Sequence, residues 1–557
     1  MQAGAAGKRF SDSKQGAAAI GMVLLLALFQ LATARLGIDY GSHWDEHFLQ
    51  GILADSVKEL DAWPRRYFYG SLYAGTGYLA LAPEWIGALP RLVGAAREVG
   101  QYQGRLEPTQ EIREIQGALL ERIYDPAFLI RTRTLFALAA TLGIVALFLA
   151  GRRLGRSPWS GVLAAAVLAL SWEFNTHARH IAVDGILVAL VATFLALLAR
   201  FLGAAPVERN PDRWLYLAAA VCGLATGAKF HGLLLLVPLV GVVLARGDRA
   251  HPGRAAKQIA ACLGVAGAVM VAVNPGLVFD TVQVANDWGY TARDYWRESD
   301  PLGDPYKSLG TLHHLREATV YVITAVLSPR PALSVALFGV AALGFVASWD
   351  RDWKTTLAVG AFVPVYLLVM SRAGLIIVRN YLPVLPVLAI FVMWGLEALL
   401  LGGRRRRWLA FGLCGLWAVS NGTHIVSTAL TVHRPHDAER LVREVREYIG
   451  QRPDERFVVS RGIASVARRA GAPLRDLPNV RGIASSGGPF DYLVYLPSEY
   501  SGQLPGVSRV GYFRAVFGSR EVNYDYYPNW VGHGLDRRVY LLDERKARDL
   551  LAALLAR

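Results

Sequence analysis

Long apolar stretches separated by short polar gaps dominate roughly the first 430 residues of the chain. Stretches near 18 to 25 residues are long enough to cross a bilayer as helices. They fall at 17–36, 129–150, 159–172, 184–202, 214–229, 231–245, 258–274, 332–349, 355–371, 381–402 and 408–430, which predicts about eleven transmembrane helices. The gaps between them alternate in charge. One set holds Lys8, Arg9 and Lys14; Arg152, Arg153 and Arg156; Arg200, Arg209 and Arg213; Arg246, Arg249, Arg254 and Lys257; Arg351 and Lys354; and Arg404 to Arg407. The other set holds only one or two basic residues per gap, such as Arg179, Lys229, and Arg372 with Arg379. Basic loops stay on the cytoplasmic side. One topology satisfies this rule: a cytoplasmic tail at 1–16, a membrane domain at 17–430, and a carboxyl terminus outside an inner (plasma) membrane.

The first apolar run follows a basic region and ends near Ala32-Thr33-Ala34, as a signal peptide with a small-residue cleavage site does. The many later spans favour an uncleaved first helix, and either reading leaves the next segment outside. Two long outer loops are expected, at 37–128 and 275–331. From 431 to 557 the pattern turns soluble: a helix at Asp437–Ile449, strands at Arg456–Ser460, Tyr492–Leu496 and Arg538–Leu542, and an amphipathic helix at Glu544–Leu555. This reads as a small α/β extracytoplasmic domain, without a phosphate-binding glycine loop or a metal signature.

Composition sharpens the picture. Of 557 residues, 53% are hydrophobic and only 18% charged, against about a quarter charged in a typical soluble chain. That argues against a disordered or fibrous protein and against a purely soluble enzyme. The 3 cysteines, Cys222, Cys262 and Cys414, lie in apolar runs and provide no disulfide scaffold. A net charge of +15 could signal nucleic acid, but the basic residues sit where the positive-inside pattern puts them, so no nucleic-acid partner is expected.

Charged groups at the outer ends of membrane helices are candidates for function. The densest cluster is Gly41-Ser42-His43-Trp44-Asp45-Glu46-His47-Phe48, after the first span. Neighbours on a helix point about 100° apart, so Asp45 and Glu46 cannot serve one target equally. The bland alternative is a solvated helix start, where acids are favoured by the helix dipole. His43 and His47 share a face, but Trp44 stands where a zinc-protease helix carries its glutamate, and ordinary hydrogen bonding is the simpler reading. A second cluster runs from Trp172 to His180, with Arg179, and is followed by Asp184. Lys229 and His231 occupy another outer turn, and Arg372 and Arg379 precede Asn380-Tyr381-Leu382-Pro383. Each basic residue alone could be an interfacial anchor. Together they bring carboxylates and cations to one membrane level, which suits a lipid-linked phosphate substrate.

These residues resemble a family. Trp44-Asp45-Glu46-His47-Phe48 looks like the Asp-Glu motif of protein O-mannosyltransferases, within the lipid-carrier-dependent glycosyltransferases that also include bacterial aminoarabinose transferases of lipid A. Arg131-Thr132-Arg133 through Gly151-Arg152-Arg153-Leu154-Gly155 resembles the second span and its basic exit. Ala178 to Asp184 is similar to the Arg-to-Asp turn, and Gly223 to Phe230 to the small-residue helix ending in Lys and an aromatic. Arg379 to Pro386 resembles the family's Arg-Tyr-x-x-Pro-x-x-Pro stretch, interrupted here by Asn380. The family's His/Lys-Pro-Pro-Leu element has no paired prolines here; the comparable region is Arg65 to Leu72, where Arg65 or Arg66 stands in for the cation.

The resemblance implies a helical GT-C-like membrane fold and an inverting transfer of a sugar on the outer face, from a polyprenyl-phosphate-sugar donor to an acceptor on a lipid, glycan or protein. It implies Asp45 as the base, Glu46 assisting placement of the acceptor, and Asp184 as a second acidic residue of the same cavity. Lys229, Arg379 and Arg179 become candidates for the donor phosphate, and Arg65, Arg66 and His47 for other substrate contacts. No cofactor is implied, and a divalent metal is not indicated, because the cations can neutralise the leaving phosphate. The alternatives are a transporter or flippase for a lipid-linked or anionic solute, which would show internal repeats and charges at mid-span, and a glycan-binding scaffold, for which so many spans are superfluous.

Overall fold

The apolar runs become helices, as a bilayer requires of any backbone that must satisfy its own hydrogen bonds. In the computed structural model, residues 2–36, 44–59, 67, 69–99, 110–203, 210–246, 252–296, 308, 310–374, 376–432, 445–459, 474–482, 491–495, 512–513 and 539–543 are described. The helices are α1 (Gln2–Arg35), α2 (Trp44–Glu59), α3 (Ser71–Val99), α4 (Gln110–Ile123), α5 (Pro126–Leu154) and α6 (Pro158–Ala169). They continue as α7 (Trp172–Ala178), α8 (Val183–Leu202), α9 (Asp212–Ala228), α10 (Leu236–Arg246), α11 (Pro252–Val273) and α12 (Gly276–Phe279). The last are α13 (Thr281–Trp296), α14 (Thr311–Thr324), α15 (Pro331–Gly360), α16 (Phe362–Met370), α17 (Leu385–Leu400) and α18 (Arg404–Val432). Short 3-10 turns at Phe230–Leu235 and Val378–Val384 lead into α10 and α17.

Eight helical stretches among the described residues are long and apolar enough to cross a membrane, rather than the eleven the sequence pattern suggests. The three that fall short are expected spans 159–172, 214–229 and 231–245. They fold as the 12-residue α6, the 17-residue α9, and the apolar stretch Phe230–Arg246, broken by its 3-10 turn. The stretch Pro331–Gly360 is kinked at Asp352, whose extended backbone (φ −158°) ends one span and starts the next. The Asp352 carboxylate caps the second span by accepting from Thr355 N (3.2 Å) and Thr355 Oγ1 (2.6 Å).

Burial sorts the spans. Of the apolar window of Val378–Leu400, 89% is buried inside the protein, against 11% for Gly253–Val273, so α17 is the central helix and α11 a peripheral one. A backbone-close crossing makes this possible: a Cβ at Gly395 would lie 2.0 Å from Val340 O, and one at Gly344 only 1.8 Å from Phe391 O. Small residues at such crossings let helices approach closely in lipid. The outer helices instead turn large apolar side chains outward, among them Leu25, Leu142 and Val346, each more than 60% exposed. Bands of that size are untenable in water and are natural against acyl chains. The chain is an integral, multi-pass membrane protein.

The soluble-patterned end contributes a five-stranded mixed sheet. Its strands are β1 (Phe457–Val459), β2 (Val480–Gly482), β3 (Tyr492–Tyr495), β4 (Tyr512–Phe513) and β5 (Val539–Asp543), in the order β2-β1-β3-β5-β4. β1 runs parallel to β2 and β3, while β5 is antiparallel to β3 and β4. Three strands match those read from the sequence; β2 and β4 are too short to show alternation. Of the expected helix Asp437–Ile449, residues 445–449 are described and helical, while its start and all of Glu544–Leu555 lie outside the described residues.

Candidate active site

Asp45 and Glu46 open α2, whose buried stripe of Leu49, Ile52, Leu53 and Val57 packs into a cluster with Tyr73, Phe128, Phe136 and Ile181. That packing turns both acids inward: Asp45 is 0% and Glu46 2% exposed. Two adjacent carboxylates this deep repel one another and lose their water, so each needs its own cation. The fold supplies one to each.

Glu46 turns to α5. The Arg133 guanidinium grips it with two bonds, Nε to Oε1 at 2.7 Å and Nη2 to Oε2 at 2.6 Å. The backbone N–H of Ile181 donates to Glu46 Oε1 at 3.2 Å, and His180 Nδ1 lies 3.6 Å from the same oxygen. Burial works against the Glu46 charge, but Arg133 and His180 outweigh it and hold the carboxyl well below the ordinary glutamate range. For His180 burial wins and pushes its pKa down to about 4, although Glu46 pulls the other way.

Asp45 turns to the opposite side. Its Oδ1 accepts from the Tyr69 hydroxyl at 2.9 Å and from Arg379 Nη2 at 3.0 Å, and Tyr73 donates to its backbone carbonyl. Burial raises the Asp45 carboxyl above its ordinary range, Arg379 and Lys229 lowering it less and Asp184 adding to the rise. Asp184, in the first turn of α8, is also fully buried and accepts from Lys229 Nζ at 2.8 Å. Arg379 joins the two acids, because its Nε lies 3.3 Å from Asp184 Oδ2. Lys229 donates a further bond, 2.7 Å long, to Asn380 Oδ1. The result is a buried lattice of two acids and two cations, contributed by the start of α2, the start of α8, the end of α9 and the turn before α17.

Glycine brings these parts together. Lys229 ends α9 in an extended conformation (φ −154°), two residues after Gly227. A Cβ on Gly70 would sit 1.8 Å from Gly227 O, so the segment before α3 lies directly on the end of α9. Asn274 ties the same corner by accepting from Ser71 N at 2.8 Å. The Arg379 turn is held in turn by Tyr366, which donates to Asn380 O at 2.6 Å, and by His314, which bonds Tyr381 Oη and Ala373 O.

Of the sequence candidates, Asp45, Asp184, Lys229 and Arg379 therefore converge, while Glu46 is engaged on the other side of α2 by Arg133. Arg179 caps α7 and its Nε donates to Asn175 O at 3.3 Å within its own turn. Arg65, Arg66 and the side chain of His47 lie outside the described residues. Tyr69, Tyr73, Arg133 and Asn380 were not among the candidates. Arg133 had a signal, a guanidinium near the head of an apolar span, which is costly unless it is paired. Asn380, the residue that breaks the Arg-Tyr pair, proves to be a partner of Lys229. Among the described residues no group of three or more His, Cys, Asp or Glu side chains is arranged to hold a metal.

Residues 115–247 match the family model of dolichyl-phosphate-mannose-protein mannosyltransferase. Among curated proteins there is no match. Solved structures of similar outline include ArnT from Cupriavidus metallidurans in the apo state, 14% identical, covering 94% of this chain and 98% of that one with a TM-score of 0.49. The same protein bound to undecaprenyl phosphate gives 14% identity, the same coverage and a TM-score of 0.47. The archaeal oligosaccharyltransferase AglB from Archaeoglobus fulgidus, with an inhibitory peptide and a dolichol-phosphate, gives 13% identity over 86% of this chain and 69% of that one, at 0.45. The matched stretch contains the basic exit of α5, the Arg-to-Asp turn and the Lys229 corner; over residues 115–247 the chain thus carries the sequence pattern of lipid-carrier-dependent mannosyltransferases, as its motifs indicated.

Proposed function

We propose that the protein is an inverting glycosyltransferase that moves a sugar from a polyprenyl-phosphate-linked donor to an acceptor hydroxyl at the outer face of the membrane. The observation that carries this reading is the bridge of Arg379 between Asp45 and Asp184, with Lys229 on the second acid. It sets two cations beside a carboxylate of raised proton affinity. The family match over 115–247 supports the donor class. The alternating basic gaps support a cytoplasmic amino terminus and an outward carboxyl terminus.

In the transfer, Asp45 takes the proton of the acceptor hydroxyl as its oxygen bonds to the anomeric carbon from the face opposite the phosphate. The bond from that carbon to the phosphate oxygen breaks, its electron pair stays on the phosphate, and the sugar inverts. Lys229 and Arg379 stabilise the charge that grows on the leaving phosphate. Asp184 keeps those two cations oriented. Glu46, locked to Arg133, fixes the first turn of α2 and so the aim of Asp45. Arg65, Arg66 and His47 remain assigned to the substrate by the sequence reading, and Arg179 to the surroundings of the phosphate.

The test is transfer of labelled sugar from a synthetic polyprenyl-phosphate donor in proteoliposomes, comparing the wild type with Asp45→Asn. Loss of about 10²-fold or more in turnover is expected for removal of a general base. Unchanged turnover in that variant refutes the assignment of Asp45.

A further inference from the structure

Among the described residues the lattice around Arg379 sets two carboxylates against two cations, and all four side chains are at least nine-tenths buried. An arriving phosphate adds a third anion to these described groups. In a site that deep, an anion can enter only if another anion gives up its cation or its charge. We propose that the donor phosphate takes Arg379 from Asp45 by partner exchange, so that Asp45 gives up this arginine only once the donor is seated; this rests on the donor class assigned above.

The geometry selects which acid yields. Asp184 is held by both cations, at 2.8 Å by Lys229 and at 3.3 Å by Arg379, and it stands in the first turn of α8 where the helix dipole favours a negative charge. Asp45 accepts from Arg379 Nη2 at 3.0 Å. It also has a neutral donor at hand, since the Tyr69 hydroxyl reaches the same Oδ1 at 2.9 Å. When Arg379 turns to a phosphate, Asp184 keeps Lys229, and Asp45 keeps Tyr69. A guanidinium is suited to the move, since its forked N–H groups fit a phosphate as well as they fit a carboxylate.

The exchange orders the reaction. Without donor, Arg379 neutralises Asp45 and blunts it as a base. With the phosphate bound, the carboxylate loses Arg379 and gains proton affinity when the acceptor hydroxyl must be deprotonated. The resting enzyme is therefore held inactive by the same residue that later stabilises the leaving group.

The experiment measures binding of a short-chain polyprenyl phosphate without sugar to the purified full-length protein, by titration calorimetry in detergent. Asp45→Asn removes the competing anion and is expected to bind about tenfold tighter than the wild type. Tyr69→Phe keeps the ring contacts but leaves Asp45 more dependent on Arg379, and is expected to bind several-fold more weakly. Lys229→Ala and Arg379→Ala are expected to lose binding. A wild type that does not bind the lipid phosphate at all overturns the donor reading. Wild-type binding that needs Lys229 and Arg379 but is unmoved by both Asp45→Asn and Tyr69→Phe overturns the exchange alone, as does a gain seen in Asp184→Asn and not in Asp45→Asn. If Asp45→Asn does not yield folded protein, Tyr69→Phe decides, and an unchanged affinity there sinks the exchange.

Discussion

Replacing Glu46 with alanine removes the acid from a pair in which both side chains are at most 3% exposed. Two short bonds from Arg133 and one from the Ile181 N–H lose their acceptor, and a buried guanidinium loses the carboxylate paired with it. Breaking a buried pair from one side costs about 3–5 kcal/mol, and the orphaned amide adds to the upper end of that range. Glu46→Gln keeps an acceptor for Ile181 and costs less. The double variant Glu46→Leu with Arg133→Met removes both charges and restores most of the loss, because the attraction it deletes had largely been spent on desolvation. The assay is urea unfolding in nanodiscs followed by tryptophan fluorescence, read as a double-mutant cycle. The sign with pH follows from the depressed Glu46 carboxyl. Its stabilisation is complete above the ordinary value of 4.5 and drains away only as pH falls below it, toward the folded-state value. The wild type should therefore lose stability in strong acid more steeply than Glu46→Gln. An alanine variant within about 1 kcal/mol of the wild type at neutral pH would refute this account of the pair.

The remaining expectations are simpler. Because Asp45 titrates above its usual 3.8, kcat/KM should rise with pH through that raised value and stay flat in Asp45→Asn, as a pH-rate profile would record. His180, neutral down to about 4 when folded and 6.5 when unfolded, penalises the fold as pH drops from 6.5 toward 4, by about 3 kcal/mol at most; His180→Asn should flatten that slope in acid-unfolding curves. Asn380→Ala takes one acceptor from Lys229 and should raise KM for the donor about tenfold with less effect on kcat. Gly70→Ala forces a methyl group into the Gly227 carbonyl and should destabilise by about 1–3 kcal/mol or more, together with a fall in activity, in the same unfolding and transfer assays.

How much of this was legible beforehand differs by kind of interaction. Long apolar runs are set by a bilayer's thickness, so the spans from α5, α8, α11, α15, α17 and α18 stood out. The 12-residue α6 and the broken stretch at Phe230 read as spans because their composition is apolar, while their lengths depend on breaks such as the 3-10 turn that hydropathy does not register. The convergence of Asp45, Asp184, Lys229 and Arg379 was visible because charges in apolar surroundings need partners. Their pairing was not visible: that Glu46 belongs to Arg133, 87 positions away, and Asp45 to Arg379, 334 away, is a property of helix packing. Tyr69 and Tyr73 gave no signal, since an aromatic residue in an apolar chain is ordinarily core.

Tyr69 lies next to Gly70, and Lys229 lies two residues beyond Gly227, the partner that Gly70 touches. The spacing between the backbone that carries Tyr69 and the backbone that carries the ammonium is accordingly set by main chain against main chain, with no pliable side chain in between. Such a joint cannot stretch to admit a bulkier sugar or a different headgroup. Altered sugar preference in engineered forms should therefore arise from walls elsewhere around the substrate, while this gap keeps one fixed gauge.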